Sequence, residues 1–405
     1  MRDIAFFSGQ GANSLDFSVL DLNDEESKKI LKIGSQVLGF DLERNVVNKD
    51  FSLLVKDPYL IQISTFLFSI LQFEEYKRKG FNPVFFAGQS LGEISALVCS
   101  GKVNISQGFH LIDSRAKFMQ ECTEKMDGRM YSIFNSSVGK VQRLIDTMEM
   151  SERVFISNIN TPNQLVISGK VKDIESFISY LDDQKINYFK LKTVSAFHTP
   201  FMKEASLKFL DVLKKIKFNH NQTVLYSNVT GKPYEETDSV YQKLLSSQIS
   251  KPVNWLGVLE DLEERHISNY LEFGGNQTIT NMLAANRKSF KEIEFLYYDF
   301  LENKVNSLKA LFESFLQFGM LKIITNKNLK SDKEKEIHDI FEALESKTRE
   351  LQSNSFFEFT LNSLETEKNR ISRCLVIKGC SEEKLNEFNY QAKQFQRELK
   401  NYIGE

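Results

Sequence analysis

The sequence predicts an α/β protein: a mostly parallel sheet with helices on both faces, an inserted β-α-β-β-α-β unit, and a mostly helical C-terminal extension. Three observations predict it. The short apolar runs IAFFSGQG and VFFAG end in glycine and alternate with long helical patterns, as buried parallel strands joined by helices do. Between about Met130 and Thr193 the rhythm shortens to six small elements. Beyond about Thr325 the chain turns charge-dense and then helical in pattern.

IAFFSGQG reads as a first buried strand running into a glycine turn. Asp24–Leu38 and Pro58–Lys79 read as helices, the second opened by Asp57 and Pro58 at N-cap and N1. Pro83 to Gly88 reads as a second buried strand, followed by the helix of SLGEISALVCSG. Ser106–Cys122 follows as a helix with Ser106 as its cap. MYSIFN, VGKVQRLIDTM, RVFISNI, QLVISG, VKDIESFISYL and NYFKLKT then read as β-α-β-β-α-β, the order of a ferredoxin-like unit. Strand TVLYSN, helices near Tyr241 and Trp255, strand SNYLEFG, a helix after Gly275, strand EIEFLYY and helix Lys304–Phe318 resume the larger domain. NKNLKSDKEKE reads as a linker, and Ser381 is placed to cap a last helix. The expected division is 1–127 with 194–325 for the large domain, 128–193 for the inserted subdomain, and 326–405 for the extension. A chain of 405 residues is too long for one core.

Composition excludes several classes. Lys+Arg (52) nearly balance Asp+Glu (54), so net charge gives no case for nucleic-acid binding. Cys99, Cys122, Cys374 and Cys380 have neither disulfide-framework nor zinc-site spacing, so no structural metal is expected and a reducing cytoplasm fits. The N-terminus has Asp3 and a glycine turn where a signal peptide needs a long apolar run. Leu60–Phe73 is too short and too polar to span a bilayer, so no membrane association is expected.

Gly88-Gln89-Ser90-Leu91-Gly92 is a G-x-S-x-G turn between a predicted strand and a predicted helix. A serine on such a turn takes strained angles, and the glycines let strand and helix approach. The Leu91 amide opens the helix and can donate to an oxyanion. The context makes the large domain α/β-hydrolase-like. A tight structural turn is the plain alternative. A serine nucleophile needs a base. Among His110, His198, His220, His266 and His338, the context of His198 is the most suggestive: VSAFHTPFM lies where the inserted subdomain returns to the large domain, a natural cleft wall. Arg115 sits among Leu111, Ile112, Phe118 and Met119. That placement suits a carboxylate held at two points, or a structural ion pair.

FSGQGA, AGQSLGE, SRAKFMQ, NINTPNQLVISG, VSAFHTPFM, SNVTG, QISKPVNW and LEFGGN follow one another over about residues 1–320. In this order they resemble the malonyl-CoA:acyl carrier protein transacylases, including the acyltransferases that serve polyketide synthases in trans. The resemblance implies Ser90 as nucleophile and His198 as general base. It implies Arg115 as binder of the malonyl carboxylate and the Gln10 and Leu91 amides as oxyanion hole. It also implies that the Gln248 carbonyl orients His198, and that Phe197 fills the space of an α-methyl group. Asn160 and Gln89 are candidates for the cleft wall. Gln89 replaces the family's usual histidine, GQGAN replaces GQGSQ, and LEFGG replaces the common GPG. The implied partners are malonyl-CoA and an acyl carrier protein, with polyketide synthase modules as a further partner. Coenzyme A is a substrate, and no cofactor is required. Rival readings are an acyl hydrolase clearing carrier proteins, a transacylase for methylmalonyl, and a non-catalytic docking protein. Residues 326–405 hold no catalytic candidate. Phe341, Leu344, Phe356, Phe357 and Phe359 suit either packing or docking.

Overall fold

The computed structural model describes residues 3–10, 15–49, 51–78, 81–193, 195–267, 269–275, 277–285, 304–325, 334–353, 361–378 and 380–403. It divides into two compact units, Met1–Ser179 with Lys190–Tyr297, and Tyr180–Phe189 with Tyr298–Glu405.

The first unit opens with strand β1 (Asp3–Phe7), then helices α1 (Glu25–Leu38), α2 (Phe51–Leu54) and α3 (Pro58–Arg78). Strand β2 (Phe85–Gly88) and helices α4 (Gly92–Cys99) and α5 (Ile105–Glu124) follow. Next along the chain come β3 (Gly128–Phe134), α6 (Val138–Thr147), β4 (Val154–Thr161), β5 (Gln164–Lys170), α7 (Val171–Asp183) and β6 (Asn187–Lys190), in the predicted β-α-β-β-α-β order, with Tyr180–Phe189 of the last two grouped in the second unit. The chain continues through α8 (Lys203–Leu213), β7 (Val224–Leu225), α9 (Asp238–Gln248), β8 (Val253–Asn254), α10 (Trp255–Glu264), β9 (Asn269–Phe273) and α11 (Thr278–Ala285).

The large sheet runs β7-β2-β1-β9 with every pair parallel. Alternation along β1 divides its side chains between two cores. Ala5 and Phe7 join α3, α4 and α5 on one face, while Ile4 and Phe6 join Trp255, Val258 and Leu259 of α10 on the other. Burial on both faces is why these strands read as continuous apolar runs. Phe7, Phe73 and Phe273 meet with ring centroids 5.4–5.7 Å apart and tie β1, β9 and α3 together. Helix α3 is buried through most of its length, so its hydroxyls need partners inside. Ser64 and Thr65 donate to the Ile61 carbonyl, and Ser69 donates to that of Thr65.

The inserted strands pair β3 with β5 and β5 with β4, both antiparallel. The Leu191 amide, just past β6, donates to the Met130 carbonyl of β3. Strand β4 carries two register shifts, the second between Ile159 and Thr161, so Asn160 stands outside the regular ladder. A further strand was not foreseen: β8 pairs parallel with β4, Val253 opposite Asn158 and Asn254 opposite Ile159. The segment KPVNW of the large domain is thereby stitched to the inserted sheet.

Caps follow local chemistry. Asp24 accepts from the Glu26 and Ser27 amides, and Asp57 from those of Tyr59 and Leu60. Helix α5 is capped by Asn104, not Ser106. Asn104 accepts from the Gln107 amide while Gln107 Oε1 accepts from the Asn104 amide, a reciprocal pair that Ser106 cannot form. Ser381 caps the last helix through the Lys384 amide. TVLYSN shrinks to the two residues of β7. The expected strand EIEFLYY lies outside the described residues.

The second unit holds helices α12 (Lys304–Thr325), α13 (Glu334–Ser353), α14 (Leu361–Ile377) and α15 (Glu382–Ile403). They share their own core of Phe312, Phe315, Leu316, Leu344, Ile371 and Phe388, with Phe341 packed against it. Phe356, Phe357 and Phe359 lie outside the described residues. Helix α12 was expected to close the large domain, yet its aromatic face is buried with α14 and α15. We propose that the boundary lies ahead of α12 and not at residue 326. A chain ended at 325 would expose Phe312, Phe315, Leu316 and Phe318, each worth about 1.5–3 kcal/mol of burial. It should aggregate, while a chain ended at 297 should stay in solution. Equal recovery of both from the supernatant would refute this boundary.

Candidate active site

Strand β2 stops at Gly88 and α4 starts at Gly92, leaving three residues to turn the chain. Ser90 sits at their centre with φ 54°, in the left-handed region that side chains avoid. The glycines allow the turn. A Cβ on Gly88 would meet the Gly92 carbonyl oxygen at 1.9 Å, and one on Gly92 would meet that of Phe7 at 2.1 Å. Asn228 brackets the turn. Its Oδ1 accepts from the Ser90 amide at 2.6 Å and its Nδ2 donates to the Gly88 carbonyl at 2.7 Å. Asn228 belongs to SNVTG, a motif to which no role was assigned.

His198 also has positive φ, 58°, and is buried. Its Nε2 lies 2.6 Å from Ser90 Oγ. Its Nδ1 lies 2.8 Å from the Gln248 carbonyl, which can only accept, so Nδ1 carries the proton and Nε2 is the acceptor. Burial, with the charge of Arg115 adding to it, pulls the imidazole down to about 4 against the opposing Gln248 hydrogen bond. The ring is therefore a neutral base at neutral pH. The other histidines stand apart. His110, His266 and His338 are exposed, and His220 pairs with Asp238 and Glu236 at the surface.

Arg115 projects from α5 and is 2% exposed. It donates to Gln62 Oε1 at 2.5 Å, to Ser90 Oγ at 3.1 Å and to Gln248 Oε1 at 3.4 Å. Its Nε has no partner among the described residues. Burial lowers its pKa to about 10, partly offset by the charge of Glu93, so the guanidinium stays charged. Among the described residues no carboxylate forms an ion pair with it. A buried cation with an unspent donor beside the serine oxygen can receive an anion.

Glu93 is fully buried in the first turn of α4. Tyr234 Oη at 2.6 Å and the Asn228 amide at 3.0 Å donate to its Oε1, and Gln248 Nε2 at 2.9 Å donates to Oε2. Burial pushes this carboxyl up to about 7, against those three hydrogen bonds and the Arg115 charge. Gln248 Nε2 also donates to the Ser90 carbonyl at 2.6 Å. Gln62, Glu93, Asn228 and Tyr234 all escaped the sequence reading.

Gln89 and Asn160, expected at the cleft, are both buried and joined, Gln89 Nε2 donating to Asn160 Oδ1 at 3.1 Å. The Leu91 amide has no acceptor among the described residues. Gln10 is exposed and follows Gly9, where a Cβ would stand 2.7 Å from the Gln89 carbonyl oxygen. Ser8 anchors that strand end, its amide on the Phe273 carbonyl and its hydroxyl on Glu272 at 2.6 Å. Phe197 is partly buried, immediately before the base. The structure thus joins Gln89, next to Ser90 in the chain, to Asn160, and gathers Ser90, His198, Arg115 and Gln248 into one site. Its chemistry is that of a serine that can attack a carbonyl carbon beside a fixed cation.

Residues 7–256 match the family model of the acyl transferase domain. The malonyl CoA-acyl carrier protein transacylase of Synechocystis sp. is 28% identical over 286 residues, covering 70% of this chain and 92% of that protein. The solved structure of malonyl CoA-acyl carrier protein transacylase from Clostridium perfringens is 28% identical. It covers 78% of this chain and 98% of its own, with a TM-score of 0.68. A malonyl-transacylase solved in complex with its type II PKS acyl-carrier protein is 26% identical, covering 73% of this chain and 95% of its own, with a TM-score of 0.66.

The depressed imidazole makes a direct prediction. An ordinary histidine, near 6.5, would be mostly protonated at pH 5.5, whereas His198 should remain the neutral Nδ1–H form there and protonate only near 4. Long-range ¹H–¹⁵N spectra of the imidazoles, assigned with a His198→Ala variant, read this out. A His198 signal titrating near pH 6.5 would contradict the buried, cation-flanked environment.

Proposed function

The chain belongs to the acyl transferase domain family, and from that premise we propose that it carries a malonyl group from coenzyme A to the phosphopantetheine thiol of an acyl carrier protein, by way of an ester on Ser90. The observation that carries the proposal is the buried Arg115 guanidinium 3.1 Å from Ser90 Oγ. A malonyl thioester has a carboxylate two carbons from the reacting carbonyl. A simple acyl chain has none, and for it a buried cation is only a desolvation cost.

The proposed steps use the arrangement of Ser90, His198 and Arg115. His198 Nε2 takes the Ser90 hydroxyl proton as Oγ bonds to the thioester carbonyl carbon. The Leu91 and Gln10 amides serve as the donors to the oxyanion. The C–S bond then breaks, and the coenzyme A sulfur leaves with the proton from His198. In the second half the carrier-protein thiol gives its proton to His198 and its sulfur attacks the ester carbonyl. The Oγ–C bond breaks and Ser90 recovers the proton. The Gln248 carbonyl replaces the carboxylate of a Ser-His-Asp triad, holding Nδ1–H without adding negative charge beside the imidazole. Arg115 holds the malonyl carboxylate through both halves, which also disfavours the hydrolase reading. No resident cofactor enters this scheme. The free thiols at Cys99, Cys122, Cys374 and Cys380 support a reducing, cytoplasmic setting, and polyketide or fatty acid synthesis supplies the carrier protein.

Incubation with malonyl-CoA should leave a malonyl adduct on Ser90, seen by intact-protein and peptide mass spectrometry. Ser90→Ala should abolish it. Arg115→Ala should lose malonyl transfer by roughly 10²-fold or more while retaining or gaining acetyl transfer, since nucleophile and base remain. An adduct on the Ser90→Ala protein, or an Arg115→Ala protein that still prefers malonyl, would sink the assignment.

Phe197 is the residue proposed to exclude an α-methyl group. Malonyl should be favoured over methylmalonyl by roughly 10–200-fold, the worth of one methyl in a filled pocket. Phe197→Ser should narrow that gap in competition assays. Equal wild-type rates with the two substrates would dispose of the steric argument.

A further inference from the structure

We propose that Glu93 is a positioning residue: its buried carboxylate fixes which way the Gln248 side-chain amide faces, and through it holds serine, imidazole and guanidinium in register. This rests on the reading of Ser90 as acyl carrier and Arg115 as carboxylate binder.

Among the described residues, Gln248 is the one that touches all three. Its backbone carbonyl accepts from His198 Nδ1, its Nε2 donates to the Ser90 carbonyl, and its Oε1 accepts from Arg115. The side-chain atoms work only in that orientation. Turned over, Oε1 would face the Glu93 carboxylate and the Ser90 carbonyl, acceptor against acceptor. Nε2 would then face the Arg115 guanidinium, donor against donor. The group that enforces the productive orientation is Glu93, on Oε2.

A carboxyl group meets the demands at that position and an amide does not. Three donors converge on it: the Asn228 amide, the Tyr234 hydroxyl and Gln248 Nε2. A carboxylate has acceptors for all of them, whereas a glutamine must point an NH₂ at one end. If that NH₂ faces Gln248, it drives the amide to flip and sets Nε2 against Arg115. If it faces Asn228, it opposes a backbone N–H that cannot turn away. Asn228 in turn brackets Ser90 through the amide at 2.6 Å and Gly88 through the carbonyl. One buried charge therefore supports both residues that shape the site. Glu93 is also the countercharge of Arg115, reached through the Gln248 amide rather than by direct contact.

The test compares wild type, Glu93→Gln, Gln248→Ala and the double variant. Each is assayed for Ser90 adduct stoichiometry and for kcat/KM with malonyl-CoA and with acetyl-CoA. Glu93→Gln should label Ser90 to the wild-type extent but more slowly. Its kcat/KM for malonyl should fall at least about tenfold further than that for acetyl, because the guanidinium loses its alignment. A residue that only stabilises the fold would lower the labelled fraction and leave the malonyl-to-acetyl ratio alone. Gln248→Ala should reproduce the loss of ratio, and adding Glu93→Gln to it should change the ratio by less than about twofold. An unchanged ratio in Glu93→Gln, or additive effects in the double variant, overturns the proposal. Should Glu93→Gln fail to fold, an unchanged ratio in Gln248→Ala overturns it alone, and a shifted ratio there supports it. Wild-type protein that forms no malonyl adduct defeats the underlying reading instead, which keeps the two failures distinct.

Discussion

The structure depends on a turn that holds a side-chain-bearing residue where glycine would be easier. Ser90, at φ 54°, stays there because neighbours press on it from every side. Gly88 and Gly92 bring strand, helix and the end of β1 into near backbone contact, and Asn228 spans the turn with one side-chain amide. Such strain costs of order 1–3 kcal/mol and persists only where the surroundings over-determine it. The parallel sheet supplies that rigidity. Phe6 and Phe7 bury on opposite faces of β1, so the platform beneath the serine is clamped by two cores rather than one.

A second constraint is the burial of charge. Arg115 and Glu93 both leave water, and each alone would be costly. They share a site without touching, with the neutral amide of Gln248 between them. A direct ion pair would have consumed the guanidinium and left nothing for a substrate anion. The spacing keeps the cation available, and the same cation helps hold His198 in its neutral form. One buried cation thus bears on two neighbours at once, on His198 directly and on Glu93 through the Gln248 amide.

Much of this was legible in the sequence. Glycines flanking Ser90, apolar runs without alternation, and Asp57 before Pro58 each carry a local physical demand that only one geometry meets. His198 was distinguished only by the loop that carries it. What escaped has no local signature. Glu93 looks like any helical glutamate until three donors from 135, 141 and 155 residues away are seen to converge on it. Asn228 and Gln62 act through partners 138 and 53 residues off. Ser106 reads as a cap by residue type, but the reciprocal bond from Gln107 makes Asn104 the cap. Helix α12 follows the large domain in sequence, yet its apolar face gives no clue to which neighbours bury it. Long-range convergence, not propensity, separates the two groups.

The two-residue ladder between β4 and β8 has a mechanical consequence. Strand β4 carries Asn160 at its bulge, and β8 begins five residues after Gln248, whose carbonyl holds the base. The strand that carries Asn160 and the segment that follows the perch of His198 are thus joined by one ladder. Pulling β4 away from its neighbour would break that ladder or draw the Gln248 carbonyl, and with it the imidazole, off the serine.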